Sequence, residues 1–293
     1  LAKAEGEVEI IVVLDGMWQP IKDDPRVTIV HHGMIQDNIG MRDSINTGML
    51  LARGEYVMKI DGHCRVGQGY DLILAADCED DWVVVPRRHR LDVDNWELID
   101  DGRPPVDYMF IAYPYERPYD KTCGLHGDIW KQAYHDRKDI LIDDLMTMQG
   151  SCYFMTKKHW EWLGGLDASK YGQFTHESQE ISNKTWLGGG RVVVNKKTWY
   201  AHLHKGKKHG TGYGFTNAQW EKWAYDHEKG RTFCIDYWMN DRWEDRKHDW
   251  QWLLNKFWNF SGEGIPTWPE NWREQIKIDK EKDYSRSEGY EGK

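Results

Sequence analysis

The chain has 293 residues, 40% hydrophobic and 30% charged, an ordinary globular composition that can bury one large core or two smaller ones. A formal net charge of −9 and a pI near 5.8 exclude a global basic field, so a grip on nucleic acid mainly through phosphates is disfavoured outside a local patch. No run approaches the roughly 18 apolar residues of a membrane span.

From the N-terminus, "EVEIIVVLDG" (7–16) is a β-branched apolar run ending in Asp-Gly, which predicts a core strand and a turn. "RVTIVHH" (26–32) predicts a second strand. "DNIGMRDSINTGMLLARG" (37–54) sets Ile39, Arg42, Ile45, Met49 and Leu50 at helical spacing and stops at Gly54. A third strand follows at 55–61, a helix at 69–80 and a fourth strand at 81–88. This alternation predicts an α/β fold with a largely parallel sheet, in which ligands sit beyond the carboxyl ends of the strands. Asp15 and Asp61 each end a strand and so face that crevice.

Residues 89–149, rich in Pro, Tyr and Asp, read as an insertion carrying active-site loops. "GSCYFMTKKHWEWLGGLD" (150–167) predicts a strand, a short helix and a Gly-Gly stop. "HESQEISNKTWLGGG" (176–190) predicts a helix, and "RVVVNKKTWYAHLH" (191–204) a returning strand. Ten of the 17 tryptophans then fall between Trp199 and Trp272, amid charged residues. Residues 205–293 read as a helical C-terminal extension held by anchoring aromatics, with a carbohydrate-stacking platform as the other use of such indoles. The last dozen residues, "KDYSRSEGYEGK", have the composition of a disordered tail.

The chemistry concentrates in "IDGHC" (60–64). Asp61 and His63 lie two apart, so on an extended chain they share a face, and Gly62 between them permits close backbone approach. A carboxylate with a neutral imidazole suits Mn²⁺, and suits Mg²⁺ less because Mg²⁺ prefers oxygen throughout. A divalent ion there would stabilise a departing diphosphate. Taken alone, the triplet also reads as an N-capping aspartate followed by an incidental histidine. Cys64, Cys78, Cys123, Cys152 and Cys234 contain no C-x-x-C pair and read as reduced thiols rather than a disulfide framework or a zinc site. With no leader visible, a cytoplasmic setting is the expectation.

Three blocks, in order, resemble the catalytic domain of the polypeptide N-acetylgalactosaminyltransferases, within the GT-A glycosyltransferases. "NIGMRDSINTGMLLARGEYVMKIDGHC" (38–64) is similar to that family's helix, its A-x-G-E-Y strand and its D-x-H-C metal motif. "GSCYFMTKKHWEWLGGLD" resembles the segment G-G-L-F-A-I-D-R-x-x-F-x-x-L-G-G-Y-D. "THESQEISNKTWLGGGRVVVNKKTWYAHLH" (175–204) resembles the E-N-x-E helix and the later histidine that adds a metal ligand. The likeness covers roughly residues 8–88 and 150–204.

The resemblance implies an α/β GT-A domain over residues 1–204, a nucleotide-sugar-binding mixed sheet flanked by helices, with a further strand expected upstream. It implies that Asp61 and His63 bind Mn²⁺ and the diphosphate of a UDP-sugar, with His202 as third ligand and His204 as its fallback. Asp15 would lie near the uridine, Arg42 near the nucleotide, and Gly150 and Ser151 beside the donor sugar. An exposed helical arginine is the other reading of Arg42. Glu177 and Glu180, three apart on one helical face, would reach sugar and acceptor, unless Glu180 caps or pairs with nearby lysines. Three departures stand out. Leu14 replaces the first of the family's usual Asp-Asp pair, Phe174-Thr175-His176 replace its W-G-G, and the tail carries no three-fold lectin repeat.

The implied reaction moves GalNAc, GlcNAc or a hexose from a UDP-sugar to an acceptor hydroxyl, with retention. A carboxylate base at Glu177 or Glu180 would instead give inversion. The nearest family suggests a peptide Ser/Thr as acceptor, with a glycan or small molecule next. A modified nucleobase in DNA is a third option, because "HKGKKHG" (204–210) is a local basic patch beside the histidines. The alternative from another class is a non-catalytic sugar-binding module. A metal hydrolase would need a second clustered ion site.

Overall fold

The computed structural model of the protein describes residues 1–33, 38–92, 94–116, 124–203, 217–262 and 264–281. His204, the basic stretch 204–210, Cys123 and the last dozen residues lie outside the described residues. The two N-terminal apolar runs form β1 (Ile10–Asp15) and β2 (Val27–His32), a parallel ribbon in register from Ile10↔Val27 to Asp15↔His32. Helix α1 (Met41–Leu51) follows and packs on β1.

The chain then lays down β3 (Tyr56–Ile60), β4 (Cys64–Val66), α2 (Tyr70–Ala76) and β5 (Trp82–Arg90). Next come β6 (Met109–Ile111), β7 (Gly127–Ile129), α3 (Lys131–Arg137) and β8 (Ile142–Asp144). After β9 (Cys152–Thr156) there are α4 (Lys157–Leu163), α5 (Ala168–Tyr171), α6 (Glu177–Leu187) and β10 (Arg191–His202). Three helices follow: α7 (Asn217–Met239), α8 (Trp250–Trp258) and α9 (Trp272–Glu281).

The central sheet has the order β3-β9-β5-β10-β4, with β8 also pairing β10. Strands β5 and β10 are parallel, whereas β9 runs antiparallel to both β3 and β5, and β4 and β8 antiparallel to β10. The sheet is the mixed one that the resemblance implies, not the largely parallel one that the strand–helix alternation alone suggests. The cause is β9, which arrives from the second half of the chain and inserts between two strands of the first. Because β3, β5 and β10 still run the same way, their carboxyl ends gather on one edge.

Both faces of the sheet are covered, which is why the strands read as unbroken apolar runs. Val84 and Val193 pack with Leu74 of α2 and Phe154, while Val83, Val85, Val192 and Val194 face the larger core. That larger core also takes Trp238, Trp250, Leu253, Leu254, Phe257 and Trp272 from the C-terminal helices and Trp268 from the link between α8 and α9. Trp238 donates its indole N–H to Tyr171 Oη at 2.7 Å and Trp268 to the Ile111 carbonyl at 2.6 Å, whereas the buried Trp250 Nε1 has no hydrogen-bond partner among the described residues. These side chains anchor the extension rather than present a stacking surface.

Residues 89–149 also carry more structure than their composition announces. Tyr108, Met109, Phe110, Ile111, Leu125 and Trp130 are all core residues. Three-residue strands are too short to show a period, so the stretch reads as loop until it is seen folded. Among the described residues no helix is long and apolar enough to cross a membrane.

One polar tie holds α1 to the segment after α4. Asn46 donates to the Leu166 carbonyl at 2.8 Å and accepts from the Leu166 amide at 2.9 Å. Asn46→Ala leaves both Leu166 groups unpaired and is expected to cost about 2 kcal/mol, read as a lowered midpoint in urea with an unchanged slope.

Candidate metal centre

Along β3, residues of alternate parity face opposite ways, so Lys59 and Asp61 emerge on one side at the strand's carboxyl end. The Asp61 amide donates to the Ser151 carbonyl at 3.0 Å, continuing the pairing of β3 with β9 past Ile60. Gly62 and His63 then turn the chain into β4. The antiparallel register Cys64↔His202, with the Leu203 amide on the His63 carbonyl at 3.1 Å, brings the end of β10 alongside.

Three ligand atoms meet there. His202 Nε2 lies 3.0 Å from His63 Nε2 and 3.3 Å from Asp61 Oδ2, and His63 Nε2 lies 3.7 Å from the same oxygen. Donors bound at right angles to one ion at about 2.2 Å are separated by about 3.1 Å, so this spacing fits three cis positions around a single divalent cation. Two imidazoles and one carboxylate favour Mn²⁺ or Fe²⁺ over Mg²⁺. Burial pushes the Asp61 carboxyl pKa up, but the His202 hydrogen bond and the Lys59 ammonium outweigh it and hold the pKa at about 2. The carboxylate is thus ionised and ready to ligate.

Lys59 was not anticipated as part of this group. Its Nζ lies 2.6 Å from Asp61 Oδ1 and 3.7 Å from Glu177 Oε1, and it also donates to the Gly150 carbonyl. Burial alone would lower its pKa, yet the two carboxylates, Glu177 first, raise it, so the ammonium persists. A lysine inside an apolar strand reads as solvent-facing. The signal that could have found it is parity, since Lys59 is two residues before Asp61.

Glu177 opens α6 and is 6% exposed. Burial pushes its carboxyl pKa up against the opposing charge of Lys59. Gly150 lies against it so closely that a β-carbon there would sit 2.5 Å from Glu177 Oε2. Ser151 is buried, with Oγ 2.9 Å from the Tyr200 hydroxyl. His176, standing where the resembled family has glycine, holds φ at 54° in the left-handed region. Its imidazole is buried and its pKa is pushed down to about 3, so it is neutral.

Asp61, His63, His202, Gly150, Ser151 and Glu177 are thereby brought into one neighbourhood, and three other predicted residues are engaged elsewhere. The Asp15 carboxylate accepts from the Ile39 and Gly40 amides at 2.7 and 2.8 Å, tying the end of β1 to the start of α1. Arg42 is fully buried: it is ion-paired with Glu180, donates from Nε to the Thr175 carbonyl at 3.1 Å and lies over the Tyr171 ring at 4.4 Å. Glu180, 1% exposed, also takes Lys184 at 2.8 Å and the Asp167 amide at 3.2 Å.

No family model matches the chain, and no curated protein does. Among solved structures, GalNAc-T7 with UDP, GalNAc and Mn²⁺ aligns over 92% of this chain and 52% of its own, at 14% identity and a TM-score of 0.52. S. aureus TarS 1-349 in complex with UDP-GlcNAc aligns over 89% of this chain and 67% of its own, at 12% identity and a TM-score of 0.40, a likeness too loose to add weight. The first comparison, with the mixed sheet and its flanking helices, gives the chain the GT-A fold. The chain spans about half the length of GalNAc-T7.

Proposed function

We propose that the protein transfers a sugar from a UDP-sugar to an acceptor hydroxyl, assisted by a divalent cation held by Asp61, His63 and His202. The observation that carries this reading is the convergence of those three donors at the carboxyl end of β3. Support comes from the GT-A fold and from GalNAc-T7, whose structure holds UDP, GalNAc and Mn²⁺. When bound, the ion supplies the positive charge that stabilises a departing diphosphate. Mn²⁺ is the first choice and Mg²⁺ the second.

The remaining work falls to the chain. Lys59 fixes the Asp61 carboxylate from behind, and its shared contact with Glu177 keeps the two acids at a set spacing. In this reading a hydroxyl of the donor sugar beside Gly150 donates to Glu177, whose Oε1 is buried 3.7 Å from Lys59 without a hydrogen-bond partner among the described residues. Glu180, enclosed by Arg42 and Lys184, positions α6 and thereby Glu177, and has no free edge to serve as a base. We assign retention, with the leaving phosphate taking the acceptor proton. NMR of the anomeric proton in the first product formed checks it, and an inverted product would return the base to Glu177.

The test of the function is release of UDP from UDP-GalNAc, UDP-GlcNAc and UDP-glucose with manganese and with EDTA. Turnover of one donor that stops on chelation supports the reading, and binding without turnover would make the protein a sugar-binding module. Gly150→Ala should lower that turnover by about 10²-fold while manganese binding survives, because the added methyl must displace Glu177. Calorimetric titration with Mn²⁺ beside the UDP assay checks both halves.

A further inference from the structure

Beyond Pro86, β5 turns strongly basic: Arg87, Arg88, His89 and Arg90 close the strand. Parallel pairing sets Arg88 beside Tyr200 and Arg90 beside His202, and on the far side of β10 antiparallel pairing sets Cys64 beside His202. Residues in register on neighbouring strands share a face, so Arg88 lies one two-residue step, about 6.6 Å, behind the row that holds His202.

Arg88 is 6% exposed, and its Nε and Nη1 are buried without a hydrogen-bond partner among the described residues. The nearby carboxylates are already committed. Asp107 is gripped by the fork of Arg87 at 2.9 and 2.7 Å. Asp101 belongs to Arg103 and, at 3.3 Å, to Arg90, whose own Nε is also buried and unpartnered. Burial, with the Arg90 charge adding to it, pushes the Arg88 pKa down, yet a guanidinium remains protonated in a protein. A buried charge left unpaired is strongly destabilising, so a fold that keeps one has left room for a counter-charge from outside.

The place for it is defined. Arg88 lines a cavity of about 10 Å³ whose other polar lining is Asp107, Gln149 and Tyr200 among apolar walls; it has room for roughly one water, so a larger anion must shift side chains there. Gln149 leads into Gly150 and Ser151, and the Tyr200 hydroxyl bonds Ser151, so the cavity lies behind the loop that flanks Asp61.

We infer that Arg88, with Arg90 at its side, is an oxyanion site that takes a phosphate or carboxylate group of a ligand bound at the candidate metal centre. The planar fork of a guanidinium suits the bidentate geometry of such groups. The identity of that ligand rests on the sugar-transfer reading; the anion site itself does not. Two sources carry the same chemistry, the donor's diphosphate and an acidic group on the acceptor.

Thermal melting of wild type, Arg88→Met and Arg88→Lys, free of metal and nucleotide and with or without inorganic pyrophosphate, tests it. Arg88→Met should melt about 2–4 °C higher than wild type, because an unpaired buried charge is gone, and should lose the stabilisation by pyrophosphate. Arg88→Lys, which keeps the charge without the fork, should retain less than half of it. A lower melting point for Arg88→Met with equal pyrophosphate stabilisation of all three proteins overturns the site and makes Arg88 a purely structural residue. In manganese, UDP binding weakened at least tenfold by Arg88→Met, with uridine binding unchanged, identifies the donor's diphosphate. Unchanged UDP binding, with pyrophosphate still stabilising the UDP-saturated wild type, identifies an acidic acceptor. Failure of every UDP-sugar to turn over, with the pyrophosphate effect intact, would sink the transfer reading and leave the anion site standing.

Discussion

His202→Ala is expected to lower manganese-dependent UDP release by about 10³-fold while the protein stays folded. His202 supplies one of three donors, and the ion is asked for several kcal/mol of charge stabilisation in the transition state. At 1.36 kcal/mol per factor of ten, losing about 4 kcal/mol of it gives that figure. The substitution is clean because it removes a ligand without stranding a charge: Asp61 keeps Lys59 at 2.6 Å. His63→Ala should behave alike, since its Nε2 stands 3.0 Å from that of His202. Both variants should also lose the rise in melting temperature that Mn²⁺ gives the wild type. Wild-type turnover in His202→Ala, or unchanged manganese stabilisation, would show that the three donors share no ion.

The elements themselves were largely legible. Apolar runs ending at Asp15 and Asp61, helical spacing from Ile39 to Leu50 and the glycine stops at 164–165 and 188–190 each reported a local fact that the fold respects. What escaped was non-local. Strand β9 sits between β3 and β5, and no feature of residues 55–90 announces a neighbour arriving from residue 152. The spacing of Asp61 and His63 is written in one strand end, whereas His202 was named only through the family resemblance, because it depends on a β4–β10 register 138 residues away. Lys59 was visible by parity but masked by its residue type. Tyr108 to Ile111 were hidden because three-residue strands carry too little pattern to separate a core from a loop.

Arg42 shows the same limit most sharply, and it yields the largest expected loss of stability. The family resemblance implied a nucleotide contact for Arg42, with an exposed helical arginine as the other reading; in the fold its guanidinium bonds Glu180 and the Thr175 carbonyl through its N–H edges and lies over the Tyr171 ring. Arg42→Met removes one member of a fully buried pair and leaves Glu180 facing Lys184 alone, so a cost of about 3–5 kcal/mol is expected. For a chain of this size that is roughly a 10 °C fall in melting temperature. Arg42→Lys should recover little, because an ammonium cannot hold Glu180 and Thr175 together from one fork. The double variant Arg42→Met with Glu180→Met should regain more than half of the loss, since Lys184 keeps the Leu163 and Gly165 carbonyls at 2.9 and 3.0 Å. Thermal melts of the wild type, Arg42→Met, Glu180→Met and the double variant give the coupling directly. A nucleotide-contacting arginine would give the reverse pattern, with UDP bound more than tenfold more weakly by Arg42→Met and a melting temperature equal to that of the wild type.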